Sequence, residues 1–411
     1  MNLSGWRVLT ISDLYPSPPL PASGIFVELQ AQHTLPGCDL LHVVVPVRVF
    51  PPWRIWREIP WPRRFVNALR QWAAQIRSIP AHREEGGIPV HFLRYSAPPR
   101  PVLHGSWGFF AYVFLRRSLR SLHRAHAFNV IHAHYAVPAG TIALLAKRWM
   151  KVPVVVSVHG SDVTYTARQR LLGRWTVSWV LRHADAVLAN SRWTAERIQA
   201  LGVPASRIHL IPLGAEPPMG AAPPRPNDGE IVLLTVAYLE ERKGHAYVLR
   251  ALARLREEGY PLTYRIVGTG SQEDALRNLA QSLGIGSAVR FEGYRRHLEV
   301  WDHLRSCDIF VLPSWNEAFG VAYIEALSVG KPVIGSIGEG GPEDLRDLGD
   351  CIELVRSRDV DSLTNAIRGL LDNPARRASL AEEGRRIVQE HYSWKANARL
   401  TLAAYRHAAD G

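Results

Sequence analysis

Short β-branched runs alternate with helical stretches along this chain, and they do so in two separate series. The first series puts strands at 7–11, 41–45, 90–93, 130–133, 154–158, 187–189 and 208–211. The second puts them at 231–236, 264–267, 289–292, 309–312, 333–335 and 352–355. Short apolar runs, each followed by a helical pattern, build parallel sheets, because a parallel pair needs a long crossover that covers the sheet's faces. Between the series lies PLGAEPPMGAAPPRPNDGE, a linker by composition. The reading is therefore α/β, with two open sheets in two domains, which 411 residues accommodate at about 200 residues each. Each sheet offers a ligand crevice beyond the carboxyl ends of its strands, and two facing crevices make a cleft.

A chain with 47% hydrophobic and 21% charged residues is ordinary for a globular protein and excludes disorder as a whole. The opening MNLSGWRVLTISDLYP reads as a buried strand, without the basic and apolar regions of a secretory signal. The longest uncharged run, 125–146, contains His126, His132, His134 and Pro138, and reads as strand, loop and helix start rather than a membrane span. Cys38, Cys307 and Cys351 are widely separated, which argues against a disulfide framework or structural zinc and fits a cytoplasmic protein.

The net charge of +12 is local. Between Arg48 and Arg124 stand fourteen Arg, no Lys and three Glu, an excess of +11. The same segment holds Trp53, Trp56, Trp61, Trp72 and Trp107, and places Phe109, Phe110 and Phe114 ahead of Arg116, Arg117, Arg120 and Arg124. Aromatics with Arg suit the headgroup level of an anionic membrane. Arg63, Arg64, Arg116 and Arg117 are the candidate contacts, and the expected location is peripheral, at the inner membrane face. Phosphate or nucleic acid would also suit such a cluster, but no nucleic-acid-binding motif accompanies it, so no nucleic-acid partner is expected. Taken one at a time, these Arg also fit a solvated face and the Trp a core.

Chemistry concentrates in WNEAFGVAYIEALSVGKPVIGS, where Glu317 and Glu325 lie eight positions apart as an apolar strand gives way to a helix. A helical rise of roughly 1.5 Å per residue separates them by about 10 Å, a span that suits a sugar nucleotide. Phe319 and Gly320 would present backbone N–H groups at the helix start, where the macrodipole favours a diphosphate. One Glu could accept from sugar hydroxyls and the other from a ribose diol. Spacing alone fits two solvated helix charges better than a ligand site. Four further groups follow strand ends: Lys243-Gly244, Gly268-Thr269-Gly270, His159-Gly160-Ser161-Asp162, and Gly24 after the loop YPSPPLPAS. Each also has a plain reading as a turn, a helix-packing glycine or a structural histidine.

Taken together, this stretch resembles the E-x7-E signature of the family 4 retaining glycosyltransferases, with Pro313-Ser314, Glu317-Ala-Phe-Gly320 and Glu325-Ala326-Leu327 matching as well. Further resemblances run from Gly24 to Gly341. They imply the GT-B architecture, two Rossmann-like parallel-sheet domains facing across a cleft. Residues 1–215 would bind acceptor and 216–393 nucleotide sugar, with a last helix at about 394–411 crossing back. The resemblance implies that Glu325 holds the ribose and Glu317 the donor sugar, with Lys243 on the diphosphate. It also implies that His159 contacts the sugar at the reacting centre, Gly24 lies over that centre and Gly268 lies near the base. Asp162 would be an acceptor-side or orienting residue. The loop Gly338-Glu339-Gly340-Gly341-Pro342-Glu343 resembles a family loop of less settled role.

One departure stands out: the family carries a pattern like G-R-L-x-x-x-K-G, and here Ala237-Tyr238-Leu239 replaces the Gly-Arg-Leu. Arg242 is adjacent to Lys243 but offset from the family's Arg. No cofactor and no metal are expected, because no metal-ligand spacing appears. The expected activity is transfer of a hexose from a nucleoside-diphosphate sugar to a lipid-linked or saccharide acceptor, in cell-envelope or exopolysaccharide synthesis. Two rivals remain at this point: a non-catalytic GT-B sensor or scaffold, favoured by Tyr238, and an epimerase or phosphorylase of the same architecture.

Overall fold

A computed structural model describes residues 5–21, 23–98, 103–169, 171–220 and 229–410, with only the backbone of 53, 54 and 169. The first four residues, the Trp53, Arg54 and Arg100 side chains and linker positions 221–228 therefore lie outside the described residues. The chain forms two compact units, 1–212 with 397–411, and 213–396.

Unit 1 is built on eight strands: β1 (Trp6–Ser12), β2 (Cys38–Arg48), β3 (His82–Glu85), β4 (Ile88–Tyr95), β5 (Val130–His134), β6 (Val154–Val158), β7 (Ala186–Ala189) and β8 (Ile208–Leu210). Their order is β3-β4-β2-β1-β5-β6-β7-β8. All pair in parallel except the edge strand β3, which runs antiparallel to β4. Every residue of β5, β6 and β7 is buried, as central parallel strands covered on both faces require. The covering helices that matter below are α1 (Ile25–Thr34), α2 (Pro62–Ser78), α3 (Trp107–His126), α4 (Thr141–Met150) and α5 (Leu171–His183).

Unit 2 holds β9 (Ile231–Val236), β10 (Leu262–Val267), β11 (Val289–Gly293), β12 (Ile309–Val311), β13 (Val333–Ser336) and β14 (Glu353–Val355), in the order β11-β10-β9-β12-β13-β14. This all-parallel 3-2-1-4-5-6 order is that of a dinucleotide-binding sheet, whose order reverses between its first and fourth strands. Here the reversal falls between β9 and β12, so the loops leaving those strands frame the crevice. Its helices include α6 (His245–Glu257), α7 (His297–Ser306), α8 (Val321–Ser328) and α9 (Gly340–Leu348). The last helix, α10 (Trp394–Asp410), leaves unit 2 and joins unit 1 from Asn397 onward. There Tyr405 is buried against Trp6 and meets His132 Nδ1 through its hydroxyl at 2.8 Å.

Candidate functional site

In unit 2 the loops after β9 and β12 are tied together. Trp315 donates its backbone N–H to the Arg242 carbonyl at 2.9 Å. Gly244 takes φ +77°, and a Cβ there would lie 2.5 Å from the Pro313 carbonyl oxygen, so only glycine lets the loops approach this closely. The closure sets Lys243 Nζ 2.5 Å from Glu317 Oε2, with both side chains 11% exposed. Burial pushes the Glu317 carboxyl up, but the Lys243 ammonium and its hydrogen bond, with Arg242 and Ser314 beyond, outweigh it and hold the group below the usual carboxylate range. An ammonium has three donors, and Glu317 uses one.

The Glu317 backbone is itself held. Its N–H donates to Glu339 Oε2 at 2.6 Å, and Gly340 returns an N–H to its carbonyl at 3.0 Å. Gly341 packs so tightly under this loop that a Cβ would fall 1.6 Å from the Phe319 carbonyl oxygen. Helix α8 then starts at Gly320, φ +77°, with no side-chain cap on its first turn. Glu325 lies on α8, 8% exposed, and its Oε1 meets His297 Nε2 of α7 at 2.8 Å. Sequence reasoning did not find His297 as a partner, because nothing near it matches a motif. Glu339 was visible only as part of a glycine-rich loop.

Gly268 stands where a Cβ would meet the Ala237 carbonyl oxygen at 2.0 Å, so close backbone packing by itself calls for glycine here. The Arg242 guanidinium pairs with Glu240 at 2.8 Å and adds to the positive field on Glu317. Tyr238, the departure from the family pattern, is 60% exposed.

In unit 1 the corresponding reversal lies between β1 and β5. Gly24, φ +72°, ends the loop after β1 at the start of α1, where a Cβ would lie 2.2 Å from the Leu14 carbonyl oxygen. His159 follows β6. Its Nε2 meets His134 Nδ1 at 3.0 Å with the rings parallel, and the rings of Phe26 and Tyr135 flank it at 4.6 and 4.9 Å. Burial, with His132 nearby, lowers its pKa to about 3, so it is neutral at pH 7. Its Nδ1 is buried with no hydrogen-bond partner among the described residues. Asp162, 2% exposed, accepts from Ala136 N–H at 2.7 Å and His159 N–H at 3.4 Å. Through these two contacts it ties the loops after β5 and β6.

The basic segment divides. Arg63 and Arg64 lie exposed on α2, a helix none of whose residues is buried, with Trp61 54% exposed beside it. Arg116 and Arg117 lie exposed on α3, one turn beyond exposed Phe110, Val113 and Phe114. Trp107 leaves the group: it is core, with its indole N–H on the Pro98 carbonyl and Arg48 over its ring at 4.6 Å. Among the described residues no helix is long and apolar enough to cross a membrane, and no group of three His, Cys, Asp or Glu is arranged to hold a metal ion.

Comparison with known proteins agrees with this architecture. The family described as glycosyl transferases group 1 matches residues 221–387, and glycosyltransferase family 4 matches 77–217. The glycogen synthase of Mycobacterium tuberculosis is 31% identical over 292 residues, covering 69% of this chain and 70% of that one. A GDP-mannose-dependent alpha-(1-6)-phosphatidylinositol monomannoside mannosyltransferase of Mycolicibacterium smegmatis is 27% identical over 286 residues, covering 66% and 74%. Among solved structures, the sucrose-phosphate synthase of Thermosynechococcus elongatus superposes with a TM-score of 0.74 at 21% identity, over 97% of this chain and 98% of that one. The chain belongs to the group 1 glycosyltransferases and has their GT-B fold. It is thus a transferase enzyme, and the non-catalytic reading raised by Tyr238 gives way.

Proposed function

We propose that this glycosyltransferase moves a hexose, with retention at the anomeric carbon, from a nucleoside-diphosphate sugar to a lipid-linked or saccharide acceptor at an anionic membrane surface. The observation that carries the reading is the buried Lys243–Glu317 pair at the strand reversal of unit 2, beside the uncapped start of α8. A diphosphate lying there meets the remaining Lys243 donors and the first-turn amides of α8, and the reading assigns it no metal ion. Glu317 faces the donor sugar and Glu325, held by His297, the ribose. In unit 1, His159 Nδ1 meets a sugar hydroxyl near the reacting carbon. Burial lowers the basicity of His159, and no side chain is assigned as general base. The departing phosphate oxygen takes the acceptor proton as the new bond forms on the same face.

The relative named for phosphatidylinositol monomannoside supports a lipid acceptor, as do the exposed arginines of α2 and α3. The test is release of nucleoside diphosphate from UDP-, GDP- and ADP-sugars, with and without bacterial lipid extract, beside Glu325→Ala. Lipid-stimulated release from one donor, lost in the variant, is expected. Scrambled sugar nucleotides without acceptor, or dependence on inorganic phosphate, would instead indicate an epimerase or phosphorylase.

A further inference from the structure

Unit 1 carries a cavity of about 620 Å³ at the end of its sheet opposite His159. Residues 151–153 and Asp185 lead into the amino ends of β6 and β7, whereas His159 leaves a carboxyl end. The walls are the last turn of α4 with Lys147, Arg148 and Lys151, and the last turns of α5 with Trp179 and His183. Asp185 is already satisfied: it accepts twice from Lys147 Nζ at 2.6 Å and once from Val154 N–H at 2.7 Å. Arg148 and Lys151 are exposed and have no acidic partner among the described residues. The cavity therefore holds two uncompensated cations beside an indole, which is the chemistry of an anion site.

One wall continues into an apolar surface. Trp179 stacks on Phe109 of α3 at 5.8 Å and on Trp175 at 6.1 Å. Trp175 is 54% exposed, and on α3 Val113, one turn from Phe109, is 60% exposed, with Phe110 and Phe114 on the adjoining face at 40% and 54%. Arg116, Arg117 and Arg120 follow on the next turns of the same helix. A soluble anion would use the cations and leave this aromatic strip in water. An amphiphile uses both.

We propose that the cavity is a headgroup site for an anionic phospholipid, with the phosphate on Arg148 and Lys151 and the acyl chains along Trp175, Phe110, Val113 and Phe114. The proposal deepens the membrane part of the function above and does not depend on which donor or acceptor the enzyme uses. It makes membrane binding a matter of one shaped pocket in addition to diffuse charge.

The test is sedimentation of the full chain with phosphatidylcholine vesicles, with and without phosphatidylglycerol. Each basic residue near such a surface contributes roughly fivefold to partitioning, so Arg148→Ala with Lys151→Ala should lower it by about thirtyfold or more. The pair Arg63→Ala and Arg64→Ala removes the same charge on α2 and should cost less. Phe110→Ser with Phe114→Ser should weaken binding while leaving the phosphate site intact. An unchanged circular-dichroism spectrum and melting curve shows that the variants fold, and unchanged nucleotide-sugar binding separates this result from failure of the transferase reading. Equal losses from the two cation pairs would reduce the pocket to surface charge and overturn the proposal. So would displacement of the chain from vesicles by glycerol phosphate together with indifference to the Phe substitutions, which would make the ligand a soluble anion.

Discussion

At the scale of single residues, the Lys243–Glu317 pair is the most constrained feature of unit 2. Two charges buried together are stable only as a pair, and removing one strands the other. Lys243→Ala should therefore cost about 3–5 kcal/mol of unfolding free energy as well as donor affinity. Lys243→Met combined with Glu317→Leu should return most of the stability in urea titrations and none of the donor binding, which separates the two roles. If the double variant stays as unstable as the single one, the pair is not what holds these loops. Tyr238 gives the opposite experiment. It occupies, 60% exposed, the position where the family has a guanidinium, while Arg242 is engaged with Glu240. Tyr238→Arg adds a charge-assisted contact worth about 1.5–3 kcal/mol, so the donor should bind roughly ten- to a hundredfold tighter by calorimetry. An unchanged dissociation constant would mean that this side chain does not reach the diphosphate.

At the scale of elements, the crevice of unit 2 is made by loops that pack on one another's backbones. The 339–341 turn holds Glu317 through Glu339 and Gly340, and Gly341 leaves the Phe319 carbonyl no room for a side chain. Gly341→Ala should displace 317–319 without unfolding the sheet: thermal midpoint lowered by a few degrees, donor KM raised at least tenfold. An unchanged KM would show that the loop tolerates the shift. Such tertiary ties are what the sequence could not display. The thirteen strands expected from β-branched runs all appear, two of them with the expected ends and the rest with ends moved by at most three residues, because burial leaves an apolar signature. β3 escaped since its residues are His-Arg-Glu-Glu, the charged composition by which an edge strand avoids further pairing. Lys243, Glu317 and Glu325 were legible from motif and strand ends. His134, His297 and Glu339 were not, because each acts through a partner 22 to 28 positions away, a contact that only the folded sheet creates.

At the scale of the whole molecule, the two units differ in how they should respond to acid. In unit 1, burial lowers His132 and His159 to about 3 and His42 and His91 to about 4, and holds His134 well below its ordinary range. His132 is fixed between the Tyr405 hydroxyl of α10 and Ser157 Oγ, both at 2.8 Å, so it also ties the last helix to the sheet. A histidine with a lowered folded pKa binds fewer protons folded than unfolded, so its contribution is lost as pH falls below about 6.5. At pH 5 each such group costs about 2 kcal/mol. Asp162, raised by burial to about 6, works the other way and returns about 1.4 kcal/mol between pH 7 and 5. Unit 2 has His245, lowered to about 4, and Glu317, whose lowered pKa withdraws stability only as pH falls through the carboxylate range. Unit 1 should therefore loosen first. Hydrogen exchange, corrected for its intrinsic pH dependence, should show protection at β5 and β6 dropping more between pH 7 and 5 than protection at β9 and β10. His132→Gln should narrow that gap, since a neutral amide keeps a hydrogen-bonding group in place without a proton to gain. Equal loss in both units would mean that the buried imidazoles titrate in place, with the sheet admitting water to receive their charge.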